Sequence, residues 1–135
     1  MSTERARGAE PMSARILVVE DNPLNLKLIK DVLEFRGFDV VTARSGEEGV
    51  AVASSSSPDL VLMDLQLPGI DGHEALHRIH ADPRCRGVPV VAVTAFAMKD
   101  DIERARAAGF AGYIAKPISV RALPEQLARF LPGKS

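Results

Sequence analysis

The chain holds a single cysteine, Cys85, so no internal disulfide can cross-link it. Its fold must stand on packing alone, and a reducing cytoplasm is the expected setting. No apolar run approaches the ~20 residues that span a bilayer. The N-terminus also lacks the apolar core of a secretory signal. Neither a membrane span nor export is therefore expected. Charge of one sign is not in excess: 17 Lys and Arg face 18 Asp and Glu, for a formal net charge of −1. Such a balance gives no general attraction to nucleic acid or to an anionic membrane. There are no internal repeats and no low-complexity tract beyond Ser54–Ser57. What remains is an ordinary globular composition, 46% apolar and 26% charged, in 135 residues. That length fits one domain, with about two-thirds of its unfolded surface buried on folding.

Residues 1–13 (MSTERARGAEPMS) are polar and small, and are expected to form a disordered tail ahead of a domain at 14–135. From Arg15 onward, apolar runs alternate with helical patterns, which implies βαβ units and a mainly parallel sheet. Strands are expected at 15–20, 38–43, 59–63, 89–94 and 112–115. Helices are expected at about 23–36, 46–54, 72–81 and 97–108, with a last one opening at Ser119. Pro23 suits a first helical turn, Gly37 a C-cap and Ser45 an N-cap. Ser54 to Pro58 reads as a turn. The helix at 97–108 is rich in Ala and charge but poor in large apolar residues, so its grip on the core should be weak. Pro124 should kink the last helix or move its start towards Leu123. The result is a doubly wound α/β fold of five strands and five helices, in which the functional crevice lies beyond the carboxyl ends of the strands.

Polar residues close four of the strands at that edge. Glu20 and Asp21 follow Ile16–Val19, Asp64 follows Leu60–Met63, Thr94 follows Val90–Val93, and Lys116 follows Tyr113–Ala115. Each alone has an ordinary explanation as a helix cap, a strand-end hydroxyl or a surface lysine. Together they form a site for a divalent cation and a phosphoryl group. Two carboxylates about 4 Å apart repel by roughly 4 kcal/mol at an effective dielectric of 20. A hard cation relieves that repulsion, and Mg²⁺ typically takes one or two carboxylates plus phosphate oxygens. A carboxylate beside it can act as nucleophile towards phosphorus. Asp64, on the fully apolar central strand, is the candidate nucleophile. Lys116 and Thr94 can each meet a phosphoryl oxygen.

The motifs Glu20-Asp21-Asn22, Met63-Asp64, Leu67-Pro68-Gly69-Ile70-Asp71-Gly72, Val93-Thr94-Ala95 and Lys116-Pro117 occur in this order in response-regulator receiver domains of two-component signalling. The chain resembles that CheY-like family over about residues 14–131. The run Ala95-Phe96-Ala97-Met98 and the stretch from Tyr113 to Ser119 look most like DivK-type stand-alone receivers and the receivers of hybrid kinases. The resemblance implies a flavodoxin-like five-stranded parallel sheet in the order 2-1-3-4-5. It implies that Asp64 accepts phosphate from a histidine kinase or a histidine phosphotransfer protein. It further implies Mg²⁺ held by Asp21, Asp64 and the backbone carbonyl of Gln66, with Glu20 acting through water. Thr94 and Tyr113 would form a switch pair, Lys116 would contact the phosphate, and the Lys116–Pro117 bond would be cis.

Phosphorylation adds up to about two negative charges beside Thr94. Thr94 should move towards them, Tyr113 turn inward, and the weakly held helix 97–108 shift. Residues 97–131 are thus the expected face for a downstream protein, in a monomer or weak dimer. With the chain ending at Ser135, no output domain is expected. Two rival readings remain. One is an aspartyl-phosphate phosphatase, although such enzymes usually place a second acid where Gln66 stands. The other is a non-switching interaction module. A flavodoxin-like cofactor binder is disfavoured, because Asp21-Asn22-Pro23 replaces a phosphate-cradling loop. His73, His77 and His80 share helical spacing, but a solvated helix face accounts for them better than zinc. Arg84 and Arg86 flank Cys85 and could lower its pKa, but a redox role is not expected of it.

Overall fold

The computed structural model describes residues 14–96 and 98–131. Five strands form one parallel sheet in the order β2-β1-β3-β4-β5. In chain order the elements are β1 (Arg15–Val19), α1 (Pro23–Phe35), β2 (Asp39–Ala43), α2 (Gly46–Ser56), β3 (Leu60–Asp64), α3 (Gly72–Ala81), a 3-10 turn (Pro83–Cys85), β4 (Val90–Thr94), α4 (Lys99–Ala108), β5 (Gly112–Ala115) and α5 (Leu123–Ala128). The expected order of strands and the doubly wound layout both hold.

Strand alternation divides the core into two layers. Ile16, Val18, Leu60, Leu62, Val91, Val93 and Ile114 face α1 and α5, meeting Leu26, Ile29, Leu33, Leu123 and Leu127. Leu17, Val19, Val61, Met63, Val90 and Ala92 face the other side, where α2, α3 and α4 supply Ala53, Ala75, Leu76, Ile79 and Ala105. Both faces of β3 are covered, which is why its sequence is apolar from Leu60 to Met63.

Local signals explain most boundaries. Asn22 caps α1 by accepting from the Leu24 and Asn25 N–H groups. Ser45 caps α2 through the Glu48 N–H, and Asp71 caps α3 through the Glu74 N–H. Gly37 and Gly109 take positive φ at the ends of α1 and α4, a conformation that costs glycine no Cβ clash.

Several expectations need correction. The turn placed at Ser54 to Pro58 begins later, because α2 continues through Ser56 and ends on Ser57 in the left-handed region. Asp64 is the last residue of β3 rather than the first beyond it. Ser119 does not open the last helix. Its hydroxyl accepts from the Ala122 N–H at 3.3 Å and closes a turn, and α5 starts at Leu123, where Pro124 occupies the first turn without wasting a donor. The helix expected at 97–108 begins at Lys99. The expected tail at 1–13, Ala97 and the last four residues lie outside the described residues.

Candidate functional site

The carboxyl ends of β1 and β3 bring three acids together. Glu20, Asp21 and Asp64 each offer a carboxylate oxygen, and these oxygens lie within 4.8 Å of one another. No other such cluster of His, Cys, Asp or Glu occurs among the described residues. Glu20 and Asp64 are 4% and 2% exposed, so water does little to offset their charge. Lys116, from the end of β5, donates to Asp64 Oδ2 at 3.0 Å. The Gln66 N–H donates to Asp64 Oδ1 at 2.8 Å. Glu20 Oε2 accepts from the Asn22 N–H at 3.0 Å, which ties the acid to the cap of α1. Burial pushes the Glu20 carboxyl above the usual carboxylate range; the Asn22 N–H opposes this, Asp64 adds to it, Lys116 opposes it and Asp21 adds to it.

The donor set fits a hard divalent cation. It is all oxygen, it is crowded, and only one ammonium offsets three carboxylates. The Glu20 and Lys116 side of this region opens into a cleft of ≈ 510 Å³ between α1 and the segment after β5.

Thr94 reaches the same sheet edge but serves the other layer. In strand alternation Glu20, Asp64 and Lys116 share the parity of the α1/α5 layer, whereas Thr94 and Tyr113 share that of the α4 layer. The Thr94 hydroxyl is buried and accepts from the Phe96 N–H at 2.9 Å. Thr94, Phe96 and the half-buried Tyr113 line a separate cavity of ≈ 210 Å³ against α4. The five edge residues are thus gathered, but in two sets. Four of them form the acid–lysine cluster, and the fifth, Thr94, stands with Tyr113 on the other layer. The Lys116–Pro117 bond is cis.

The flanking arginines do not prevail at Cys85. Cys85 lies buried in the 3-10 turn, with Sγ 3.4 Å from the Ala53 carbonyl. Burial pushes its thiol up, Asp82 adds to this, and Arg84 only partly opposes it. Arg84 instead bonds Ser54 Oγ and Asp82. Two of the three histidines have structural contacts: His73 stands edge-on to Phe110, and His80 Nε2 lies 2.9 Å from the Val88 carbonyl, while His77 is exposed on the same helix. Three residues around the acids, Asn22, Arg44 and Glu47, had been given no role of their own from the sequence. Asn22 has a readable signal, an Asn directly before a helix-opening Pro. Arg44 and Glu47 had none beyond the Ser45-x-x-Glu48 capping pattern beside them.

A doubly wound domain with an acidic trio and a lysine at its strand edge defines a receiver. The chain belongs to the response-regulator family: the model described as "Response regulator receiver domain" matches residues 16–128. Members of that family are signalling domains rather than typical enzymes. The chain is 45% identical over 120 residues to the polar-differentiation response regulator DivK of Brucella ovis, a match covering 89% of this chain and 98% of that protein. The receiver domain of a sensor histidine kinase from Pseudomonas aeruginosa, solved with a magnesium ion coordinated in its active-site cleft, superposes with a TM-score of 0.79 at 37% identity, covering 87% of this chain and 97% of that one. The chemotaxis response regulator CheY4 of Vibrio cholerae shares the fold, with a TM-score of 0.84 at 24% identity over 88% of this chain and 99% of that one. No helix among the described residues is long and apolar enough to cross a membrane.

Proposed function

We propose that residues 14–135 form a single receiver domain that takes a phosphoryl group onto Asp64. The donor is the phosphohistidine of a histidine kinase or a histidine phosphotransfer protein. A downstream protein then reads the change over residues 97–131. The setting is the cytoplasm, and the working form is a monomer or weak dimer. The observation that carries this reading is the buried acid cluster with Lys116 bonded to Asp64.

Asp21, Asp64 and the backbone carbonyl of Gln66 would hold Mg²⁺, with Glu20 supporting it through water. When bound, the ion supplies positive charge against the carboxylates and the phosphoryl oxygens. In transfer, an Asp64 carboxylate oxygen forms the new bond to phosphorus while the P–N bond of the donor breaks. The electron pair of that bond returns to the imidazole nitrogen. Lys116, already 3.0 Å from Asp64, meets the added charge as a point charge. The Thr94 hydroxyl, which donates to the Phe96 carbonyl at 3.4 Å, turns its proton to a phosphoryl oxygen instead. Tyr113 then turns towards the space beside Thr94, and α4 moves with it. The same groups serve hydrolysis, in which a water oxygen bonds phosphorus and the Asp64 carboxylate leaves with the electron pair, so the domain at most promotes its own phosphorylation and dephosphorylation without turning over an external substrate.

The test is incubation with acetyl phosphate and Mg²⁺, read by intact-protein mass. The expected result is one added phosphoryl group, not formed when chelator is present from the start and absent in Asp64→Ala. Labelling that survives Asp64→Ala would move the nucleophile elsewhere. Sustained hydrolysis of a phosphomonoester, lost with Asp64, would make the protein a phosphatase instead.

A further inference from the structure

The acidic pocket is carried by two connections, residues 20–22 after β1 and residues 65–71 after β3. A third segment touches both: the turn that opens α2, at residues 44–49. On one side, Arg44 Nη2 donates to the Asp21 carbonyl at 3.3 Å. On the other, Glu47 Oε2 accepts from the Ile70 N–H at 3.1 Å. Glycines make both approaches possible. A Cβ on Gly49 would come within 2.9 Å of Val19 Cγ2, directly before Glu20. A Cβ on Gly46 would come within 2.6 Å of Ile70 Cγ1 and 2.7 Å of the Ile70 carbonyl. Gly69 sits at φ +77°, and a Cβ there would meet Glu47 Oε1 at 2.5 Å.

The two glutamates of this turn have different tasks. Glu48 closes the local cap, accepting from the Arg44 N–H at 2.7 Å while its own N–H binds Ser45 Oγ. Glu47 reaches out of the helix to the 65–71 connection. That connection is tied at its start by the Leu65 N–H to the Val93 carbonyl and by the Gln66 N–H to Asp64. It is tied at its end by the Asp71 cap. Between Gln66 and Asp71, Glu47 is the one hydrogen-bond partner from elsewhere in the chain among the described residues.

We infer that the opening turn of α2 is a clamp on the acidic pocket, and that Glu47 is a positioning residue that sets the pocket's affinity for a divalent cation by holding the 65–71 connection. This inference rests on the receiver reading above. Glu47 acts through Ile70 and the backbone between it and Gln66, and itself touches neither the cation nor the phosphoryl group.

The test uses the full chain and three variants: Glu47→Ala, Glu47→Gln and Asp21→Asn. Mg²⁺ affinity is measured by calorimetry, and amide exchange over residues 65–71 is followed in chelator. Loss of one such hydrogen bond is worth about a two- to tenfold change in an equilibrium. Glu47→Ala is therefore expected to weaken Mg²⁺ binding about two- to tenfold and to speed exchange at Leu67, Gly69 and Ile70, with exchange in the strands unchanged. Glu47→Gln keeps an acceptor oxygen without the charge and is expected to restore both readouts. If Glu47→Gln binds Mg²⁺ as weakly as Glu47→Ala, the residue acts by charge alone and the clamp is wrong. Unchanged affinity in Glu47→Ala would also overturn it. Binding that is lost in Asp21→Asn and keeps its full wild-type affinity in Glu47→Ala would leave the receiver reading standing and remove only the clamp. A wild-type protein that binds no Mg²⁺ would overturn both.

Discussion

Glu20 is the residue at which function and stability pull apart. It is buried, it faces Asp64 and Asp21, and its carboxyl is held above its usual range by desolvation first. In the metal-free protein that burial is a cost rather than a gain. Glu20→Gln keeps an oxygen for the Asn22 N–H and removes one charge from the trio. It is expected to stabilise the metal-free protein by about 1 kcal/mol, as neutralising a strained functional site commonly does. Thermal melts in chelator measure this, and a Glu20→Gln protein that melts below wild type would show that the crowding is not felt. Cys85 carries the opposite lesson. Its two flanking arginines suggested an activated thiolate, yet solvent exclusion outweighs them and the thiol is pushed up. With the folded pKa above the unfolded one, the folded state holds its proton longer. Stability from this group is intact below the unfolded thiol pKa and is lost as pH rises past it. Iodoacetamide at about pH 8 should therefore label native Cys85 slowly and label it quickly once urea is added. Fast labelling of the native protein would mean that the side chain is open to solvent.

The helices differ in how firmly they are held, and the sequence showed this unevenly. For α1, the spacing of Leu26, Ile29 and Leu33 gave the buried face directly, and all three are buried. For α4, the scarcity of large apolar residues indicated a weak grip, and Ala105 is its one buried residue. Amide exchange should accordingly be faster in α4 than in any strand. Adding beryllofluoride with Mg²⁺ should alter exchange most over α4 and β5. A change confined to residues 20–22 and 64–71 would instead favour a module that binds phosphate without switching. The last helix was harder to read. Ser119 offered a cap and Pro124 a break, and propensity alone left the start open between them. The turn closed by Ser119 settles it, leaving α5 only six residues long. So short a helix depends on packing rather than on its own hydrogen bonds. Leu123 and Leu127 supply that packing at full burial. Leu127→Ala is expected to cost about 2–5 kcal/mol in urea unfolding, and a loss under about 1 kcal/mol would mean that α5 contributes little to the core.

At the scale of the molecule, topology places the chemistry. Parallel strands all end at one edge, and the strand order reverses between β1 and β3. That reversal opens the crevice in which Glu20 and Asp21 from one strand end meet Asp64 from the other. This much could be read from apolar runs closed by acids, because a sheet covered on both faces leaves polar residues nowhere but its edges. Two features could not be read. The division of that edge between two layers depends on strand parity in the folded sheet. The contact of Glu47 with Ile70 depends on two glycines approaching from distant parts of the chain. Neither leaves a local pattern. The crevice couples the cation to the whole fold, since the acids sit on the two central strands and cannot gather in an unfolded chain. Binding to the native state alone stabilises it by RT ln(1 + [L]/Kd), or about 1.4 kcal/mol at ten times Kd. For a domain of this size that is a rise of about 5 °C in Tm. The expected outcome is that millimolar Mg²⁺ raises the Tm of the wild-type protein by a few degrees and leaves Asp21→Asn unmoved. An equal rise in both proteins would trace the effect to general ionic screening and detach the cation from the pocket.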